Sequence, residues 1–167
     1  MPAPHPPSPP ITTTNPEQPM GPRTFQFRLQ SDHGDPATNA GPPLLERLND
    51  SGVWELQQPG LTTPPFRLSL IALLLCLHHH LVHGAAERQI PLRQLRATLS
   101  VAVSSRWDLE SYRADFQLLL DPSAGAAGLA RVDGAALAAL RERMARSPVA
   151  RNLPARVNAQ IVVGIAG

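Results

Sequence analysis

Phe25, Phe27 and Leu29 alternate with Gln26, Arg28 and Gln30, the two-residue period of a strand with one buried face. A turn-rich stretch follows from Asp32 to Pro43, holding Gly34, Pro36, Asn39 and Gly41. Residues 52–58 read as a second strand on the β-propensity of Val53 and Trp54, and 61–65 as a proline-bounded loop. From 66 to about 86 the pattern changes to helix, rich in Leu, free of internal Pro, with Gly84 near the end as a stop signal. Its first three turns are apolar on every side, which demands cover from several directions. Leu95, Ala97, Leu99, Val101 and Val103 then alternate with Arg96, Thr98, Ser100 and Ser104. Tyr112, Ala114, Phe116, Leu118 and Leu120 do the same against Arg113, Asp115 and Gln117. The short break between these runs, 105–111, suits a hairpin. Asp133 is placed to cap a helix over 134–146 that stops before Pro148. Leu137, Leu140 and Met144 share one stripe of it, with Arg141 and Arg143 facing out. A last strand over 156–163 alternates Val157, Ala159, Ile161 and Val163 with Asn158 and Gln160.

Strand runs interrupted by two helices predict an α+β fold with helices on one face of an antiparallel sheet. The fully apolar helix is hard to bury in so thin a domain, and a homodimer wrapped around it is the simplest solution. At 167 residues and 18.0 kDa the chain has room for one domain of ordinary size. Fifteen of its 19 prolines precede Phe66. Those in residues 1–22 predict a disordered Pro-rich leader, since proline fixes φ and removes the amide donor. The leader lacks the positive and apolar regions of a secretory signal. The most apolar run, Leu68 to Leu77, is half the roughly 20 residues of a membrane span. It reads as a buried core helix in a soluble, cytoplasmic protein without a membrane partner.

All fifteen basic residues are Arg, which excludes a P-loop lysine, a Schiff base and a Ser–Lys dyad. The single Cys excludes an internal disulfide, a CxxC redox pair and a multi-Cys zinc site. Arg141, Arg143, Arg146, Arg151 and Arg156 are offset in their segment by Glu142. They read as a solvated face, because no aromatic interleaves with them to make a nucleic-acid stacking platform.

Cys76 lies among Leu73, Leu74, Leu75 and Leu77. It reads either as a nucleophilic thiol, active as the thiolate, or as an inert residue filling a core. His79, His80 and His83 fall three, four and seven residues beyond it, on its face of the helix, while His78 points away. They are weak candidates for a Cys/His metal site, for lowering the thiol pKa, or for a polar exit from the core.

Three stretches resemble the OsmC/Ohr family, named for osmotically inducible protein C and organic hydroperoxide resistance. Pro65-Phe66-Arg67-Leu68 leads into an apolar helix bearing Cys76. Arg88-Gln89-Ile90-Pro91-Leu92 follows that helix, and Ser147-Pro148-Val149 closes the second one. The resemblance covers 64–163 and implies an OsmC-like α+β domain over 23–167, its N-terminal strands in 23–60, forming an intertwined homodimer. It implies Cys76 as the reactive thiol of an organic hydroperoxide reductase that needs no cofactor. Ser147 stands where the family has its resolving Cys, and Phe66 where the peroxidase members have a Glu. Arg23 and Arg28 are candidates, by region, for the catalytic Arg. Without a resolving Cys, a reacted Cys76 would need an external thiol reductant. The alternatives are a catalytically degenerate protein that binds a small apolar ligand or has a structural role, and metal binding through Cys76, His79 and His83.

Overall fold

The computed structural model describes residues 21–34 and 41–166; the leader up to residue 20 and positions 35–40 of the turn-rich stretch lie outside them. The elements run β1 (Arg23–Asp32), β2 (Leu44–Leu48), β3 (Trp54–Leu56), α1 (Pro65–Glu87), β4 (Leu92–Val103) and β5 (Leu109–Leu120). A 3₁₀ turn, Pro122–Ala124, leads to α2 (Gly125–Leu129), α3 (Gly134–Ala145), α4 (Pro148–Arg151) and β6 (Asn158–Ile165). The strands form one six-stranded sheet in the order β3-β2-β1-β4-β5-β6.

The sheet departs from the sequence reading in two places. The sheet is mixed and not antiparallel, because β6 pairs in parallel with β5. A strand that follows its neighbour through a crossover of helices, here 121–157, starts again at the same end of the sheet and must run parallel to it. The other is β2, a strand the sequence reading did not assign, which pairs antiparallel with β1 and β3 although Leu44-Leu45-Glu46-Arg47-Leu48 shows no clean alternation. Its turn into β3 is set locally: Asn49 Oδ1 accepts the amides of Ser51 at 3.0 Å and Val53 at 2.9 Å. Gly52 there takes φ 78°, a left-handed conformation that suits a residue without Cβ.

One face of the sheet is the core. Leu45, Leu29, Ala97, Phe116 and Val163 stand opposite one another across five strands, and the next row holds Phe27, Leu99 and Ala114. These rows belong to the same buried cluster as Leu70, Ile71, Leu73, Leu74, Leu77 and Leu81 of α1. Over α1 lie α3, through the fully buried Leu140 and Met144, and α4. Asp133 caps α3 as the sequence predicts, accepting the Ala136 amide at 2.7 Å. Arg143 does not face outward; it turns back to a two-pronged ion pair with Glu87 at the end of α1.

At 23 residues and a mean hydropathy of 1.5, α1 is long and apolar enough to cross a membrane. The shorter run from Leu68 to Leu77 understated its length. Half of its most apolar window is buried inside the fold, so packing identifies it as a core helix where length does not. Its cover is incomplete: Ser69, Ala72, Leu75, His79, His83 and Ala86 form an exposed stripe along the helix.

Gly84 sets how closely α3 approaches α1. A Cβ there would stand 2.8 Å from Leu140 Cδ2 and 2.9 Å from Arg143 Cδ. Gly84→Val is expected to push α3 outward and to lower the unfolding free energy by about 2 kcal/mol. Urea denaturation checks this, and wild-type stability in the variant would refute the close-packing role.

Candidate functional site

Cys76 is the middle residue of α1 and is half-buried at the edge of the exposed stripe, not sealed in the core. Its neighbours in sequence alternate between the two environments: Leu74 and Leu77 are buried, Leu75 is exposed. His79 and His83 stack in the next turns with ring centroids 4.2 Å apart, and His80 lies edge-on to His79 at 5.9 Å. Among the described residues, no three His, Cys, Asp or Glu side chains are placed to share a metal ion. Burial holds the His80 imidazole below its usual pKa, reinforced by His79, Arg143 and His83 nearby.

The remaining positions implied by the family resemblance are dispersed. Phe66 sits at the N-terminal end of α1, ten residues before Cys76, or about 15 Å along the helix axis. It packs into an aromatic corner, with Trp107 edge-on at 5.4 Å and Phe25 at 5.9 Å. Arg23 joins that corner, its guanidinium 4.2 Å from the Trp107 ring centre. Arg28 points to the opposite side of the sheet, where Glu46 holds it at 2.5 Å and 3.0 Å. Ser147 is fully buried and caps α4, its Oγ accepting the Ala150 amide at 3.4 Å. That cap gives the hydroxyl a structural task in its own right. Arg67, the residue after Phe66, has its Nε buried without a hydrogen-bond partner among the described residues.

Sequence reasoning missed a second polar group, at the sheet–helix interface. The alternation of β1 puts Ser31 on the core face, and it is buried. Its Oγ lies 2.8 Å from His33 Nε2 and 2.8 Å from His78 Nε2. A hydroxyl has one proton and two lone pairs, so Ser31 can donate to at most one of the two imidazoles and can accept from an N–H of either, the roles following the ring tautomers. His78 does face away from Cys76, as expected, and this is where it points. A polar residue at a core position of an alternating strand was the available signal. Burial drives the His78 pKa down to about 4, with the charges of His33 and His79 acting in the same sense. His33 is also lowered by burial, against a smaller opposing effect of Asp32.

No protein-family model and no curated protein sequence matches the chain. Solved structures do. A candidate osmotic stress induced and detoxification response protein from Psychrobacter arcticus superposes with a TM-score of 0.51 at 11% identity. The match covers 72% of this chain and 87% of that one. An OsmC like protein from Mycoplasma pneumoniae gives a TM-score of 0.50 at 11% identity, covering 83% and 96% of the two chains. The chain therefore has the OsmC-like fold, an α+β domain in which a mixed sheet carries a long central helix.

The His78 environment makes a stability prediction. Unfolding releases an imidazole of pKa about 6.5 from a site that holds it near 4. Between these values the unfolded chain binds the extra proton, so stability falls as pH drops from about 6.5 to about 4. The size is on the order of 3 kcal/mol. Urea unfolding at a series of pH values should show this slope, and His78→Leu should flatten it; equal slopes in the two proteins would refute the assignment.

Proposed function

We propose that this OsmC-fold protein is a single-cysteine thiol reductase of organic hydroperoxides that works as a homodimer. The observation that carries the reading is the placement of Cys76. The thiol is at the middle of the apolar helix yet reaches the open stripe, where an inert core Cys would be sealed. A thiolate at Cys76 attacks the distal oxygen of R–O–O–H, the O–O bond breaks, and the leaving alkoxide takes a proton to become the alcohol. Cys76 is left as a sulfenic acid. Ser147 cannot resolve it, so two equivalents of an external thiol reduce it, giving a disulfide, water and the free Cys76. No metal or organic cofactor takes part, and the reducing cytoplasm is the setting that supplies such thiols.

Dimerisation through the stripe would cover Ala72 and Leu75, which the single chain leaves in water. It would also close a water-poor pocket over Cys76. Phe66 and Cys76 are about 15 Å apart along one helix, and a second chain laid against the stripe could bring its own Phe66 end nearer to Cys76.

One observation favours a second reading. The aromatic corner of Phe25, Phe66 and Trp107 has apolar rings at the position of the family's charged Glu. That suits a catalytically silent protein holding a small apolar ligand.

Native protein treated with cumene hydroperoxide is expected to consume one equivalent per Cys76, with the sulfenic acid trapped by dimedone, and Cys76→Ser is expected to be inert. Oxidation no faster than that of a free thiol would leave the binding reading. Sedimentation should give a dimer for the wild type and a folded monomer for Leu75→Asp; a monomeric wild type would remove the interface.

A further inference from the structure

The face of the sheet turned away from α1 has its own polar rows. Leu44, Gln30, Arg96, Gln117 and Gly164 stand opposite one another across five strands, beside a row of Glu46, Arg28, Thr98, Asp115 and Val162. These rows line a cavity of about 540 Å³, within the range that holds a small organic molecule. A second cavity of about 370 Å³ adjoins it, shares Arg96 and adds Arg93, Gln94 and Leu119. The register shift between Leu92 and Gln94 falls at Arg93, and a bulge of this kind re-aims a side chain.

The charges in this region are unequally satisfied. Arg28 is taken by Glu46, and Asp115 is held by both prongs of Arg113 at 2.8 Å. Arg93 and Arg96 belong to none of the ion pairs among the described residues. Arg96 Nε donates to Gln94 Oε1 at 2.9 Å, which fixes the plane of the guanidinium and leaves its two terminal nitrogens to a ligand. The carboxamides of Gln30 and Gln117, on either side of Arg96, have no hydrogen-bond partner among the described residues. Leu44 supplies an apolar wall, 48% exposed.

We propose that this outer cavity binds a small organic anion, a carboxylate or a phosphate monoester. Arg96 and Arg93 take the charged head, for which a guanidinium fork is matched. Gln30 and Gln117 donate from the sides, and the hydrocarbon body lies along Thr98 against Leu44. The site is on the opposite side of the sheet from Cys76 and does not depend on the redox reading.

The test is titration of the full-length ¹⁵N-labelled protein with hexanoate, hexyl phosphate, hexanol and inorganic phosphate, followed by NMR. Saturable shifts of the Gln30, Ala97, Thr98 and Gln117 amides are expected with hexanoate or hexyl phosphate, and whichever binds tighter names the head group. Binding is expected to weaken at least tenfold for hexanol and in Arg96→Gln, and to be unchanged in Arg106→Gln, a charge removed from the distant hairpin. Hexanol binding as tightly as the anions, or Arg96→Gln retaining wild-type affinity, would overturn the assignment. So would equal weakening in Arg106→Gln, which would mark a diffuse charge effect. Inorganic phosphate binding as tightly as hexyl phosphate would overturn the role given to the hydrocarbon body.

Discussion

The core face of the sheet, with Phe27, Leu29, Leu99 and Phe116 at its centre, has to be covered by something apolar, and α1 is what covers it. Six of its aliphatic side chains are buried there, each contributing about 1.5–3 kcal/mol. The rest of the domain is arranged around that contact. Gly84 lets α3 close over the far end of the helix, Ser147 caps the short α4 that packs beside it, and Glu87 anchors Arg143 across the helix pair. A helix apolar all round cannot be fully covered by one sheet layer and two shorter helices, so a stripe stays open. Cys76 lies at its margin.

How much of this could be read from the chain depended on how local the cause was. β1, β4 and β5 were legible because each has one wet face, and alternation marks such strands directly. The cap at Asp133 was legible because its whole mechanism spans four residues. β2 was not, since Leu44-Leu45 breaks the alternation and the strand exists because β1 offers it an edge. The direction of β6 was not, since an alternating strand reads alike whichever way it runs. In the site, helical spacing correctly separated His78 from the face of Cys76. It could not reveal that His78 meets Ser31, because that contact joins residues 47 apart in sequence. The family resemblance carried the fold correctly; the positions it singles out, Phe66, Cys76 and Ser147, fall at different points along and beside one helix within the single chain.

The two polar centres use opposite strategies. Ser31, His33 and His78 are a closed set, with the hydroxyl shared between both imidazoles and burial keeping the rings neutral. Arg93 and Arg96 on the outer face are an open set, outside the ion pairs among the described residues, with Gln30 and Gln117 unpartnered beside Arg96. Closed groups fix the seat of α1 on the sheet; open ones leave bonding capacity to something that arrives. The same sheet therefore supports the fold from one side and offers chemistry from the other.

The parallel pairing of β6 also has a consequence in time. During synthesis, β5 emerges with an unsatisfied edge of amides and carbonyls, and its partner is not made until residues 158–165 leave the ribosome. Hairpins β2–β3 and β4–β5 can close as they are made, but this pairing waits for the whole helical segment between the strands. Such non-local closure is intrinsically slow and leaves a strand edge open to other chains meanwhile. Chain order thus makes β6, the last strand to be synthesised, the one on which completion of the sheet depends.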